Sequence, residues 1–287
     1  MTQRLPRQEH TALLEVSDLS LRFTRRSGWF RQSYINGLCN VSLSVARGEV
    51  HAVVGASGAG KSLLAWAVMG LLPANARCTG TLRFDGQPLD ASRQARLRGR
   101  SLALVPQSVA ALDPLARCGD QLRWAAQRAG IPTTSIQQRV ARVLGQYGLE
   151  PGVTRAYPHT LSGGMARRVL LAMASIGDAD LIIADEPTVG LDHANRERVL
   201  GYLRDLAAAG KAVLLITHDL RHALKSADHV TVMRSGTTVE CAKAHQFSGE
   251  GSQLTTAYAR ALWQALPSNA FLQPRPVNPV NEAIDLA

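Results

Sequence analysis

The chain has 287 residues, 46% of them hydrophobic and 19% charged, which is enough apolar material for one large domain or one domain with a small appendage. No run reaches the roughly 18–20 uninterrupted apolar residues of a spanning helix, and "MTQRLPRQEH" has no apolar h-region, so a chain kept in the cytoplasm is expected. The net charge of +10 comes almost wholly from arginine, since lysine occurs only at Lys61, Lys211, Lys225 and Lys243; it suits nucleic acid, a phospholipid surface or phosphates equally.

In chain order, "LSLRFTRRSGWFRQSY" (19–34) interleaves arginines with aromatics and reads as a hairpin with a solvated basic face rather than a nucleic-acid surface. Short apolar runs follow at 49–54, 101–106, 180–185, 212–217 and 229–233, the length and continuity of strands buried on both faces of a parallel sheet. "TLRFDGQPL" (81–89) alternates instead and predicts an antiparallel piece closed at Asp85-Gly86. Between Leu115 and Thr160 apolar residues recur at three- and four-residue intervals, predicting two amphipathic helices that interrupt the α/β pattern. After Phe247 a helix is expected in "LTTAYARALWQALP", then a tail punctuated by Pro267, Pro274, Pro276 and Pro279. Cys39, Cys78, Cys118 and Cys241 are scattered, with no CxxC and no histidine at ligand spacing; free, mostly buried thiols are expected, with no zinc or iron–sulfur centre built on them.

"GASGAGKS" (55–62) fits G-x-x-x-x-G-K-[ST] between an apolar strand and a helical run. Gly55, Gly58 and Gly60 permit the turns and close approach by which successive N–H groups face phosphate oxygens. Lys61 would reach the β- and γ-phosphates and Ser62 would give an oxygen to Mg²⁺. "LIIADE" ends a second strand in two carboxylates, Asp185 to orient the metal and Glu186 to polarise the attacking water. His218 ends another strand in "LLITHD", where an imidazole could contact the γ-phosphate, although such a residue taken alone is more often structural.

Leu161 to Met165, in "YPHTLSGGMARR", resembles the LSGGQ signature of ABC-type ATPases. The other motifs fall in that family's order: Gln107 in "LVPQ" as the Q-loop, "LIIADEP" as Walker B, "GLD" (190–192) as the D-loop and His218 as the switch histidine. The resemblance covers about residues 13–240. It implies a P-loop NTPase (RecA-like) core of α/β class with an antiparallel β piece and an inserted helical subdomain at about 108–168. The domain would span 13–248, between a tail at 1–12 and a C-terminal extension at 249–287. It also implies that ATP and Mg²⁺ are held by Gly55, Ser57, Gly58, Gly60, Lys61, Ser62, Leu63 and Asp185, with Ser62, Gln107 and Asp185 at the metal. Glu186, His218 and Gln107 would serve catalysis. Ser162, Gly163 and Gly164 would act at the nucleotide of a facing subunit, with the signature helix beginning near Met165, and Asp192 of the D-loop would join the nucleotide-binding set. Phe23 would stack on adenine, with Trp29, Phe30 and Tyr34 as rivals.

"GLLPANARCTGTLRFDGQPL", "QSVAALDPL" and "YARALWQALP" resemble the ATPases of oligopeptide, dipeptide and nickel importers. That implies two permeases, a second ATPase subunit of the same or related sequence, a solute-binding protein and a peripheral position on the cytoplasmic face of the bacterial inner membrane. Peptides, nickel or metals held by opine-like chelators are the substrates implied. The chain departs from the subgroup at Arg167, where glutamine is usual, in the missing Asp-Pro after Gln107, and in lacking a C-terminal cysteine cluster, which leans toward the metal-chelate side. The rival reading is a soluble ABC ATPase acting on nucleic acid or ribosomes. One cassette, without a long coiled-coil insertion between phosphate loop and signature, favours the importer, so no nucleic-acid partner is expected.

Overall fold

The computed structural model describes residues 12–27 and 31–266; Trp29, Phe30, the first eleven residues and the segment from Pro267 lie outside them. Strands β1 (Ala12–Ser27) and β2 (Arg31–Ala46) form a long antiparallel hairpin, and β3 (Val50–Val54) leads through the phosphate loop into helix α1 (Lys61–Met69). β4 (Ala76–Phe84) and β5 (Gln87–Pro88) follow, joined at Asp85 and Gly86, both at positive φ (51° and 68°) as a tight Asp-Gly hairpin demands. Next come α2 (Ala91–Leu97), β6 (Leu102–Val105), α3 (Cys118–Arg128), α4 (Thr133–Gln146) and α5 (Gly163–Ser175). The chain continues through β7 (Leu181–Asp185), α6 (His193–Ala208), β8 (Ala212–Thr217), α7 (Leu220–Ser226), β9 (His229–Arg234), β10 (Thr237–Lys243) and α8 (Ala257–Gln264).

Two sheets result. The smaller is antiparallel in the order β2-β1-β4-β5; the larger runs β10-β9-β3-β8-β7-β6, parallel except for the β10 edge. The larger sheet separates two apolar clusters, and alternate residues of each strand feed them in turn. Val50, Ala52, Val54, Ile182, Ala184, Val213 and Leu215 face the helical side, whereas Val53, Leu181, Ile183, Leu214 and Ile216 face α1 and the antiparallel sheet. Burial on both faces is why these strands read as unbroken apolar runs, each Val, Leu or Ile contributing about 1.5–3 kcal/mol. In the helical subdomain, Leu122 and Ala126 of α3 meet Ile136, Val140, Val143 and Leu144 of α4, the three- and four-residue spacing read from sequence. α5 belongs to both regions, sending Val169, Leu171 and Ala172 into the same cluster.

The five strands expected from apolar runs are present with ends shifted by at most one residue, within ordinary fraying, whereas the antiparallel strand expected from Thr81 already begins at Ala76. The cysteine expectation is corrected: only Cys118 is buried, Cys39 is half-buried, and Cys78 and Cys241 are exposed. Cys78 lies in the stretch of β4 from Arg77 to Thr81, exposed throughout, and Cys241 alternates with buried Glu240 and Ala242 on β10. Among the described residues no helix is long and apolar enough to cross a membrane.

Candidate functional site

Strand order places β8 between β3 and β7, so the loops leaving their C-terminal ends converge on one edge of the sheet, where open α/β sheets bind ligands. Gly55 leaves β3 so close to β9 that a Cβ would stand 2.3 Å from the Met233 carbonyl oxygen. Gly60, the N-cap of α1, has φ 94°, which turns the chain into the helix with its first N–H groups directed outward. Lys61 folds back inside the loop, its Nζ donating to the carbonyls of Gly55 (2.7 Å) and Ala56 (3.0 Å). Burial pushes the Lys61 ammonium down, opposed by the carboxylates of Glu186 and Asp185.

Asp185 ends β7 with 4% of its surface exposed, and its Oδ1 has no hydrogen-bond partner. Burial pushes this carboxyl up, against the Ser62 hydroxyl, which holds it down. A buried, unpartnered carboxylate oxygen beside a serine hydroxyl is a donor pair of the kind a hard cation takes, and it is the observation that tests the fit of Mg²⁺ here. Glu186 follows at φ 48°, a left-handed conformation that costs a residue with a side chain about 1–2 kcal/mol. Its N–H donates to the Ile216 carbonyl (2.8 Å), and both carboxylate oxygens lie 2.9 Å from His218 Nδ1. Thr217 Oγ1 donates to Oε2 at 3.4 Å. Glu186 and His218, 32 residues apart, are therefore one unit across adjacent strand ends.

Ala56 to Leu63, Gln107, Glu186, Val189 and His218 line one cleft of about 610 Å³. The cleft thus gathers the phosphate loop with Ser57, Ser62 and Leu63, the Q-loop glutamine, the Walker B glutamate and the histidine. Other expected residues stand elsewhere. Ser162 and Gly163 are exposed outside the cleft lining, and α5 begins at Gly163 rather than near Met165, because the Ser162 hydroxyl caps it by accepting from the Met165 N–H (3.2 Å). Gly164 lies against Asn195, a Cβ there meeting Asn195 Nδ2 at 3.3 Å. Asp192 caps α6, accepting from the Asn195 N–H (2.9 Å) and Nδ2 (2.6 Å). Phe23 is half-buried on β1, its ring edge beside Gly37 together with Leu63, whereas Tyr34 is 64% exposed on β2.

Two residues escaped their full role in sequence. Arg167 is 4% exposed, and its guanidinium donates to the carbonyls of Pro106 (3.0 Å), Gln107 (2.5 Å) and Val189 (3.5 Å) while Nε has no partner. Burial pushes it down from the usual arginine range. The signature helix is thereby pinned to the Q-loop and to the segment after Glu186. Buried Gln121 of α3 holds the stretch beyond the Q-loop by bonding both Asp113 main-chain groups and the Ala116 carbonyl. An arginine outside any motif consensus was the only available signal for the first; nothing in the sequence marked the second.

A phosphate-binding loop, a buried acid pair at a strand end and a capped signature helix on an inserted helical block define a nucleotide-binding cassette. The chain matches the ABC transporter family over residues 38–189, more than half its length, and belongs to that family. It is 36% identical over 269 residues to the oligopeptide transport ATP-binding protein OppD of Lactococcus lactis subsp. cremoris (strain SK11), covering 91% of this chain and 77% of that protein. It is 39% identical over 212 residues to the nickel import ATP-binding protein NikD of Pseudomonas putida (strain KT2440), covering 72% and 82% respectively. The dimeric structure of MJ0796, a bacterial ABC transporter cassette, superposes with a TM-score of 0.70 at 25% identity, covering 80% of this chain and 98% of that one.

Proposed function

We propose that this chain is the ATP-binding and ATP-hydrolysing subunit of a membrane importer of the peptide and nickel class. The relatives named for oligopeptide and nickel transport support that class, and the cleft supports the chemistry. The observation that carries the reading is the convergence of Lys61, Ser62 and the Glu186–His218 pair on one cleft, with the unpartnered Asp185 carboxylate set behind it against the Ser62 hydroxyl. The loop N–H groups and Lys61 bind and orient the triphosphate, the lysine exchanging its bonds to Gly55 and Ala56 for phosphate oxygens. Ser62, Gln107 and Asp185 would hold Mg²⁺, which when bound neutralises phosphate charge. Glu186 takes the proton of the attacking water, and His218, already bonded to it, fixes its direction.

Ser162, Gly163 and Gly164 lie outside the cleft lining and exposed or half-exposed, so they would serve the nucleotide of a second ATPase subunit through the N–H groups at the start of α5. Asp192 would act at that seam, beside Gly164 through Asn195. Phe23 and Tyr34 are the described candidates for adenine. The ATPase domain is read as 13–248, with its helical subdomain at about 108–168 and an extension from 249. The complex would sit peripherally on the cytoplasmic face of the membrane with two permeases and a solute-binding protein. The test is Glu186→Gln with ATP and Mg²⁺: a stable closed dimer in sedimentation, with turnover abolished, is expected. A variant that stays monomeric alongside its permeases overturns the shared site, and wild-type hydrolysis overturns Glu186 as base.

A further inference from the structure

The larger sheet holds a second polar cluster, at the opposite end of its strands from the phosphate loop. On the face that Val53 and Met233 turn toward α1, the alternation of β3 and β9 also brings His51, His229 and Thr231. An apolar side chain would satisfy that pattern at each position; the start of the two strands carries imidazoles instead. Both aim Nδ1 at one carboxylate oxygen: Glu49 Oε1 is 3.2 Å from His51 Nδ1 and 2.8 Å from His229 Nδ1. One donor atom from each of the three side chains lies within 4.8 Å of the other two. The rings are stacked, centroids 6.0 Å apart.

The outer atoms of the cluster are already engaged. His51 Nε2 is 2.8 Å from Thr231 Oγ1, and Glu49 Oε2 accepts the Ala46 N–H at 3.0 Å. Metal-binding histidines and carboxylates are commonly oriented in this manner, by a second partner on the atom turned away from the ion. His51 is 2% exposed, while the His229 side chain is 36% exposed and leaves a path from solvent. Two imidazole nitrogens around one carboxylate oxygen are held either by two Nδ1–H donors or by one cation shared among the three atoms. Zinc–nitrogen and zinc–oxygen bonds of about 2.0–2.2 Å set neighbouring ligands roughly 3 Å apart, close to two of the separations seen here. Cys241 of β10, paired with Thr231, also reaches the His51 ring with its thiol.

We propose that Glu49, His51 and His229 form a site for one divalent first-row transition-metal ion, Zn²⁺, Co²⁺ or Ni²⁺, with its remaining positions open to water beside His229. The mixed imidazole and carboxylate donor set suits these ions better than Mg²⁺ or Ca²⁺. The ion would cross-link the starts of β3 and β9. β3 leads to Gly55, and the turn after β9 bonds the phosphate loop through the Gly236 N–H and the Ala59 carbonyl (3.1 Å). Metal here would stiffen the strands that carry the nucleotide site without touching the nucleotide. The site stands whether or not the importer reading holds.

The test uses the full chain stripped with a chelator and titrated with Zn²⁺ by calorimetry and with Co²⁺ by its visible spectrum. One equivalent bound, a raised Tm and imidazole ligands in the X-ray absorption spectrum of the zinc form are expected. His229→Asn, at the half-exposed ligand, should abolish stoichiometric uptake while ATP binding persists, and Thr231→Val should weaken it by about 10-fold. Cys241→Ser should retain it. A proton-bridged triad without saturable metal uptake overturns the proposal. So does uptake that survives His229→Asn, or uptake lost only with Cys241→Ser.

Discussion

Lys61 illustrates what a single position does in this fold. Its ammonium is buried against two carbonyls of its own loop, the place where the proposed triphosphate would bring its oxygens. Charge-assisted hydrogen bonds contribute about 1.5–3 kcal/mol, so Lys61→Ala is expected to weaken nucleotide binding roughly 10- to 150-fold. Because alanine is a good helix former, circular dichroism should show the fold retained. A fluorescent-nucleotide titration with unchanged Kd would contradict the reading of the loop. Lys61, Asp185 and Glu186 were legible in sequence because their chemistry needs fixed residue types at fixed spacing. The pairing of Glu186 with His218 was not, since it depends on β7 and β8 being neighbours.

At the scale of elements, α5 is the connection between the helical subdomain and the sheet. Arg167 carries that connection into the Q-loop and the segment following Walker B through three carbonyls. It is a positioning residue; it does not line the cleft. Arg167→Ala leaves those carbonyls without their donors and should cost about 1–3 kcal/mol in chemical denaturation. Steady-state kinetics should show kcat reduced several-fold with KM for ATP little changed, and Arg167→Lys should recover part of the loss. A matched fall in affinity would instead place Arg167 in nucleotide binding. Sequence showed Arg167 as a departure from the family's glutamine but could not show its purpose, because its partners are main-chain atoms 22 to 61 residues away. The helices α3 and α4 were legible from periodicity, since each has one apolar face and one wet face.

Across the whole molecule, the segment 249–266 is folded onto the larger sheet's apolar cluster. Leu254 and Ala259 join the larger apolar cluster, and Arg234 lies 4.7 Å from the centre of the Tyr258 ring. Glu240 of β10 anchors it, accepting from the Thr255 N–H and hydroxyl and the Thr256 N–H. Burial pushes this carboxyl up, but the bonds from Thr255 and Thr256 outweigh it and hold it below the ordinary glutamate value. A lowered folded value means the stabilisation is fully present above the unfolded carboxylate range and is lost as pH falls through the folded value. Calorimetry between about pH 6 and about pH 3 should show wild type losing more stability than Glu240→Gln, from the unfolded glutamate value near ~4.3 downward. Equal acid sensitivity would refute the anchor.

The sequence by itself determined the phosphate-loop motif, the parallel strands and the helical insertion, because each depends on local spacing: loop glycines, unbroken apolar runs, helical periodicity. Only tertiary structure decided what lies beside what. Strand order joined Glu186 to His218, packing gave Arg167 its three carbonyls, and sheet register set His51 opposite His229. Contacts between distant segments are fixed by how buried faces fit together, and no stretch of chain carries that information alone.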